Sequence, residues 1–434
     1  MQILHTTRPR GFSLVELMVA MLIGLIGTII IFQVFEVSEG IKRTTTSGGD
    51  AQQNGVVAAY IIERDLRQAG NGFSDAGLIG CTVLANDSAR ATPAFTLTLA
   101  PVLITPGATA KVPDTLTIFY GSANQAGNGT KLTQAVAAPG TGNVSVKDVY
   151  GFSPGDLIVL LEPASGKNCS LMEVNQVGTP GASNVLVHDT NGYAGHTPRF
   201  NPGVTGLGVG YGVDTNVVTD RTTRVYNLGN LYTLGPGADP TRINTALGLA
   251  QAAIVPVHNT YSIDANNRLN VTSAFVIDPV TRAPLVSALA DNIVQLQAQY
   301  GLDDGIVDAA SVPFNTIAGV AGDGLIDRYV SAATFNAIAP RPWSAVIAVR
   351  IAVVARGALA EKPRGSDGAK CDATTDGTES IAGVDQRPGW RNGTVIDVSG
   401  SGDPDPASMT NWKCYRYRVF ESTIPLRNWI WRSS

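Results

Sequence analysis

Residues 12–35, FSLVELMVAMLIGLIGTIIIFQVF, run for 24 positions with one charged side chain, Glu16. As a helix this run is about 36 Å long, enough to cross a bilayer with some tilt. The eleven residues before it, MQILHTTRPRG, are polar and carry Arg8 and Arg10. Positive charge ahead of the run predicts a cytoplasmic N-terminus with everything after residue 36 outside, although Lys42 and Arg43 reduce the asymmetry. An ordinary secretory signal ends its shorter apolar core in a small-residue cleavage site. Here the small-residue junction, Gly11-Phe12, comes before the apolar run. An ionised carboxylate at Glu16 would cost about 3 kcal/mol on insertion scales, which makes it a functional residue by default.

Those residues, Arg10-Gly11-Phe12-Ser13-Leu14-Val15-Glu16-Leu17, resemble the type III signal of type IV prepilins and pseudopilins. The resemblance implies that a prepilin peptidase cuts after Gly11, that Phe12 becomes the N-methylated new terminus, and that Glu16 is the assembly carboxylate. A buried ammonium needs a counter-charge in a low-dielectric helix bundle, and Glu16 of one subunit can serve the next. The sequence departs from many major pilins in carrying Gln33 where they have a helix-kinking proline; Gly24 and Gly27 are expected to loosen the helix instead.

After a polar stretch, AQQNGVVAAYIIERDLRQAGNGF resumes helical spacing at Val57, Tyr60, Ile61 and Leu66, and Gly70 and Gly72 read as its stop. One long helix over about residues 12–69 is expected, with breaks near Gly40 and Gly48 and the second half packed on a globular domain. The segment Glu63-Arg64-Asp65-Leu66-Arg67, followed by Ala69-Gly70, resembles the PilW family of minor pilins. So do Asn292 to Tyr300 running into Gly301-Leu302-Asp303, Trp343 to Arg356, Arg418-Val419-Phe420 and Leu426-Arg427-Asn428. The recognisable parts bracket both ends of the chain, and the middle diverges.

With 47 Gly and 24 Pro and no Gly-X-Y or heptad period, the body reads as short strands and turns. DTLTIFYGS (114–122), GDLIVLLEP (155–163) and NVLVHDT (184–190) are examples of the antiparallel pattern. In VQLQAQY (294–300), Val294, Leu296, Ala298 and Tyr300 alternate with Gln295, Gln297 and Gln299, which predicts a strand with one face in water. AVIAVRIAVVA (345–355) is almost wholly apolar apart from Arg350, as in a central strand covered on both faces. YRYRVFESTIPLRNW alternates at Tyr415, Tyr417 and Val419, with Pro425 marking an edge or an end. The expected class is α+β: a long N-terminal helix, transmembrane in its first half, on a β-rich antiparallel pilin-like domain. The expected divisions are leader 1–11, membrane or filament-core helix 12–36, amphipathic continuation 37–72 and globular domain 73–434.

Lys and Arg number 31 against 35 Asp and Glu, so no basic footprint for nucleic acid exists. Four cysteines, Cys81, Cys169, Cys371 and Cys414, lack the close pairs of a zinc site. In an exported protein they permit two disulfides in three pairings that sequence alone does not separate; Cys81–Cys169 and Cys371–Cys414 is the pairing we expect. Gly151-Phe152-Ser153-Pro154-Gly155 matches the G-x-S-x-G nucleophile elbow, yet Pro154 has no N–H for an oxyanion hole and a strand pattern follows. The glycines at 203, 206, 208, 210 and 212 miss the nucleotide-loop spacing and read as a turning loop. His5 is in the leader, and His188, His196 and His258 lack metal spacing. Asp303, Asp304 and Asp308, with Asp323 and Asp327, could offer oxygen ligands to Ca²⁺, but Asp and Gly are also ordinary turn residues. Asp403-Pro404-Asp405-Pro406 reads as a solvated loop.

No catalytic set, metal or cofactor is expected. The resemblance implies an inner-membrane precursor whose β-rich domain faces the periplasm and later the cell exterior, acting in pilus priming and assembly at or near the tip. Motility and adhesion would depend on it indirectly. The implied partners are the prepilin peptidase, other minor pilins, the major pilin, a large tip adhesin and the inner membrane. Two other readings are a GspJ-like pseudopilin of type II secretion, which as a family is about half this length, and an adhesive module displayed at the tip.

Overall fold

The computed structural model describes residues 11, 13–72, 79–123, 129–137, 143–163, 165–193, 196–201, 210–214, 220–230, 256–306, 321–360, 388–391, 395–402 and 411–430. Helix α1, Leu14–Leu66, is one continuous element of 53 residues, about 80 Å long. It has no break at Gly40 or Gly48, contrary to the sequence expectation. Its apolar first half is almost wholly exposed, with no part of the most hydropathic window buried. The helix ends at Leu66 with Arg67 as its cap, and Gly70 and Gly72 lie in the turns just beyond, at φ values of 79° and 88° that suit glycine best.

A four-stranded antiparallel sheet carries the second half of α1. Its order is Arg328–Ser331, Ile293–Leu302, Val346–Arg356, Tyr417–Pro425. Val346–Arg356 lies between two partners, and only its last residue is not fully buried. Alternation explains this. Val349, Ile351, Val353 and Ala355 join the core under the helix, while Ala352 and Val354 join a second core with Trp390, Ile396, Val398 and Tyr417. Pro425 closes the edge strand, where its missing N–H costs no ladder bond.

The half-wet strand expected at 294–300 forms in its second part, where Leu296, Ala298 and Tyr300 are buried and alternate with part-exposed Gln297 and Gln299, but not at its start. Gln295 is 1% exposed, and its amide donates to the carbonyls of Lys111 and Asp397. A register shift between Ile293 and Gln295 turns Ile293 and Leu296 toward the helix-side core and Val294 toward the opposite one.

The first core continues into a five-stranded antiparallel sheet, ordered Pro284–Asp291, Arg268–Ile277, Val257–Ile263, Thr115–Tyr120, Val102–Thr105. Behind it stands a six-stranded sheet: Ala94–Leu99, Cys81–Asn86, Cys169–Glu173, Asp156–Leu161, Arg224–Asn230, Thr130–Lys131. Leu157, Val159 and Leu161 face Phe119 and Phe275 of the five-stranded sheet. Ile158 and Leu160 face the other way, toward Leu186 of a small three-stranded sheet. Among the described residues the six-stranded sheet contains one parallel pair, Val83 opposite Cys169 and Leu84 opposite Ser170, and the other strand pairs are antiparallel. The disulfide Cys81–Cys169 closes this pair, with Cα atoms 6.1 Å apart. Cys371 lies outside the described residues.

Candidate functional site: the helix head and the helix dock

Gly11 is exposed and non-helical, and Glu16 is exposed in the first turn of α1. Phe12 and residues 1–10 lie outside the described residues. Leu14, Val15 and Leu17 beside Glu16 are exposed as well.

The other end of the rod is built into the body. Small residues let the helix approach the sheet closely: Ser47, Ala51, Gly55 and Ala58 are buried, followed by Ile62 and Leu66. A Cβ added at Gly55 would stand 1.9 Å from Phe420 Cε2, so the ring occupies the space a side chain would take. Hence the stripe differs from the sequence reading. Tyr60 and Val57, expected to mark the packed face with Ile61 and Leu66, are 65% and 41% exposed. Large apolar residues drew the reading; the small ones at 51, 55 and 58, with Ile62 above them, hold the contact.

The top of the dock is polar. Asp65 is fully buried on α1 and faces the five-stranded sheet. The Tyr261 hydroxyl donates to its Oδ2 at 2.6 Å and the Asn259 amide to the same oxygen at 3.1 Å. Arg64 Nη2 donates to Oδ1 at 3.0 Å, and the Tyr120 hydroxyl reaches it at 3.5 Å. Burial, and then the adjacent carboxylate, push both tyrosine hydroxyls well above their ordinary range, so they remain donors. A buried carboxylate with four donors is satisfied; the same group without them would be costly. Asn428 completes the clamp by donating to the carbonyls of Gln68 and Ala69 at the helix end. The segments singled out in the sequence therefore line one dock along the helix: Phe420 from the edge strand at Gly55, then Asp65 on the helix and Asn428 at its end. Their roles became visible only in three dimensions.

Behind the sheet, Arg350 is buried, pairs with Glu421 at 2.5 Å and lies 4.5 Å from the Trp390 ring centroid. This ion pair accounts for the lone charge inside the central strand.

The other motifs serve turns. Asp303 accepts from the N–H groups of Gly322 and Gly324, Asp327 from Gly305 N–H, and Asp304 pairs with Arg328 at 2.6 Å. Asp323 accepts from Leu325 N–H, and Asp308 lies outside the described residues. Ser153 N–H donates to Asp156 between Gly151 and Gly155, both at positive φ, and a strand follows. The glycines at 203, 206 and 208 and residues 403–406 lie outside the described residues. His188 is buried, and His258 stacks edge-on against Phe119. Its Nδ1 has no partner, and burial lowers its pKa to about 4. No group of three or more His, Cys, Asp or Glu side chains is arranged for a metal among the described residues.

An exposed apolar rod, charged near its head and clamped at its tail to a β-sheet body, is the architecture of a type IV pilin-like protein. Residues 7–32 match the prokaryotic N-terminal methylation motif, and residues 261–428 match the family Type IV Pilus-assembly protein W. Together the two matches support a PilW-type, type IV pilin-like protein. No curated protein and no solved structure matches it.

Proposed function

We propose that this chain is a minor pilin that primes and assembles a type IV pilus and sits at or near its tip. The observation that carries the reading is a methylation-motif match at the exposed head of the same unbroken helix whose tail is gripped by the PilW-matched body. In this reading the N-terminus lies in the cytoplasm, the body in the periplasm, and a prepilin peptidase cuts between Gly11 and Phe12. N-methylated Phe12 then places an ammonium in the helix bundle, and Glu16 of a neighbour neutralises it. The partners are other minor pilins, the major pilin and a large tip adhesin. The work is assembly rather than catalysis.

One structural observation favours an added role in display. The six-stranded and three-stranded sheets are built from residues 81–230, ahead of the PilW match; they enclose one core between them, and the other face of the six-stranded sheet packs on Phe119 and Phe275 of the five-stranded sheet. Such a module suits contact with surfaces or ligands beyond the filament.

Mass spectrometry of the N-terminal peptide, in sheared filaments and in membranes, tests the proposal. A peptide beginning at N-methylated Phe12, present in filaments far below the major subunit, is the expected result. Retention of residues 1–11 everywhere would refute processing. A processed chain never found in sheared pili would favour a GspJ-like secretion pseudopilin.

A further inference from the structure

We infer that the open half of the outer face of the five-stranded sheet is a docking surface for a flat, uncharged β-sheet face on a neighbouring pilin body. Cross-strand register lines up one row of side chains over all five strands: Leu103 opposite Thr117, Thr117 opposite Thr260, Thr260 opposite Thr272 and Thr272 opposite Val286. A second row on the same face holds Thr105 opposite Thr115 and, further across, Ser262, Asn270 and Ala288. The Thr117 and Thr260 hydroxyls bond to each other at 3.0 Å, and no side chain in either row is fully buried. Leu116, Ile118, Tyr261 and Leu269 point the other way, into the core under α1. Exposed faces are ordinarily kept soluble by scattered charge. Across these five strands only Arg268 and Asp291 are charged, and they stand opposite each other at one end of the sheet. The two rows cover on the order of 300 Å², an uncharged centre with its charges at the rim, as in protein interfaces.

What covers the rest of this face identifies the occupant. Toward the end of the strands where Gly70 N–H meets the Phe119 carbonyl, Phe119, His258 and Phe275 lie under the six-stranded sheet. Half of the face is therefore already a sheet-on-sheet contact within the chain. The open half continues it on the same strands, and its Thr, Ser, Val and Ala side chains let a second sheet lie at the usual spacing of about 10 Å. A charged partner surface would lose its solvation there without gaining a counter-charge. A sugar would find no aromatic ring to stack on, because Phe119, Phe275 and Tyr261 are buried. The edge is equally unguarded. Pro284–Asp291 has no described strand beyond it, carries no charge from Leu285 to Ala290 and leaves Val286 57% exposed, whereas edges left to solvent are commonly protected by charge. That the neighbour is a pilin body rests on the proposed function; the docking surface itself does not.

Site-specific photo-crosslinking of the full chain in cells tests the surface. A photoreactive side chain at Thr260, Thr272 or Val286 should give a product whose partner peptide is a β-strand of a chain with an N-methylated terminus. The same group at Tyr150, 70% exposed elsewhere on the body, should not. Thr260→Lys with Thr272→Lys should lower the yield from Val286 by about tenfold or more, while hydrogen exchange of the core strands and cleavage after Gly11 stay at parent levels. If the pair disturbs folding, Ala288→Lys, at an exposed position, makes the same test. No product above the Tyr150 control, a product with lipid, sugar, a helical segment or a chain without the methylated terminus, or a yield indifferent to the added lysines would overturn the inference. Cleavage and pilus incorporation are read separately, so failure here leaves the minor-pilin reading standing.

Discussion

Gly55→Ala and Phe420→Ala, made singly and together, test the close seam between helix and sheet. Alanine in mid-helix gains about 1 kcal/mol over glycine. Against this, the new methyl would lie 1.9, 2.4 and 2.7 Å from three atoms of the Phe420 ring, and overpacking of this kind costs about 1–3 kcal/mol. Gly55→Ala alone should therefore be neutral or destabilising, by up to about 2 kcal/mol. In the Phe420→Ala background the obstruction is gone, and the same change should stabilise by about 1 kcal/mol. The sign reversal is the signature, with a coupling of about 1–3 kcal/mol between two contacting residues. Local opening energies from amide exchange over 51–62 suit the measurement, because a chain with several cores need not unfold in one step. If Gly55→Ala had the same effect in both backgrounds, the ring would not be what requires glycine.

Asp65→Ala removes the acceptor shared by Tyr261, Asn259 and Arg64; the Arg64 charge is solvated, but the Tyr261 hydroxyl loses its acceptor in the core, which should cost about 1–3 kcal/mol, seen as lost exchange protection near residues 62–69. Cys81→Ser with Cys169→Ser opens a crosslink spanning 88 residues and should cost about 4–5 kcal/mol on the chain-entropy account, measured by denaturation. Non-reducing peptide mapping of the parent should also return Cys371 joined to Cys414. His258, held neutral with a pKa of about 4 against 6.5 unperturbed, contributes stability that is complete above pH 6.5 and lost as pH falls toward 4. The loss is roughly 3 kcal/mol. Asp114, Asp156 and Glu173, all raised by burial, act in the opposite direction, so the difference between parent and His258→Phe across that window is the quantity to read. Glu16→Val should leave cleavage after Gly11 intact and abolish incorporation into pili, checked by immunoblot of membrane and sheared fractions.

How much of this was legible beforehand depended on the scale of the signal. The apolar run and the stop at Gly70 and Gly72 are local, and so is the two-sided burial of residues 346–355; each follows from periodicity or backbone freedom. The dock was legible in part. Ala51, Gly55, Ala58 and Ile62 repeat at helical spacing, but the first three are small and carry little hydropathy, and Val57 and Tyr60 outweighed them. Asp65 looked like one of several charges on a polar helix end, since its donors come from positions 120, 259 and 261. Gln295 misled for the same reason. The backbone that covers it belongs to residues 111 and 397, which no alternation within 294–300 can report.

The helix is held by residues far along the chain, Phe420 and Asn428. Its full docking therefore waits on the strand Tyr417–Pro425. A chain shortened ahead of residue 417 should keep the apolar rod and the sheets built from residues 81–230, yet leave the Gly55 face of α1 without the Phe420 ring that fills it. The long sequence separation between the two halves of the dock thus makes the seating of α1 a late, non-local event in folding.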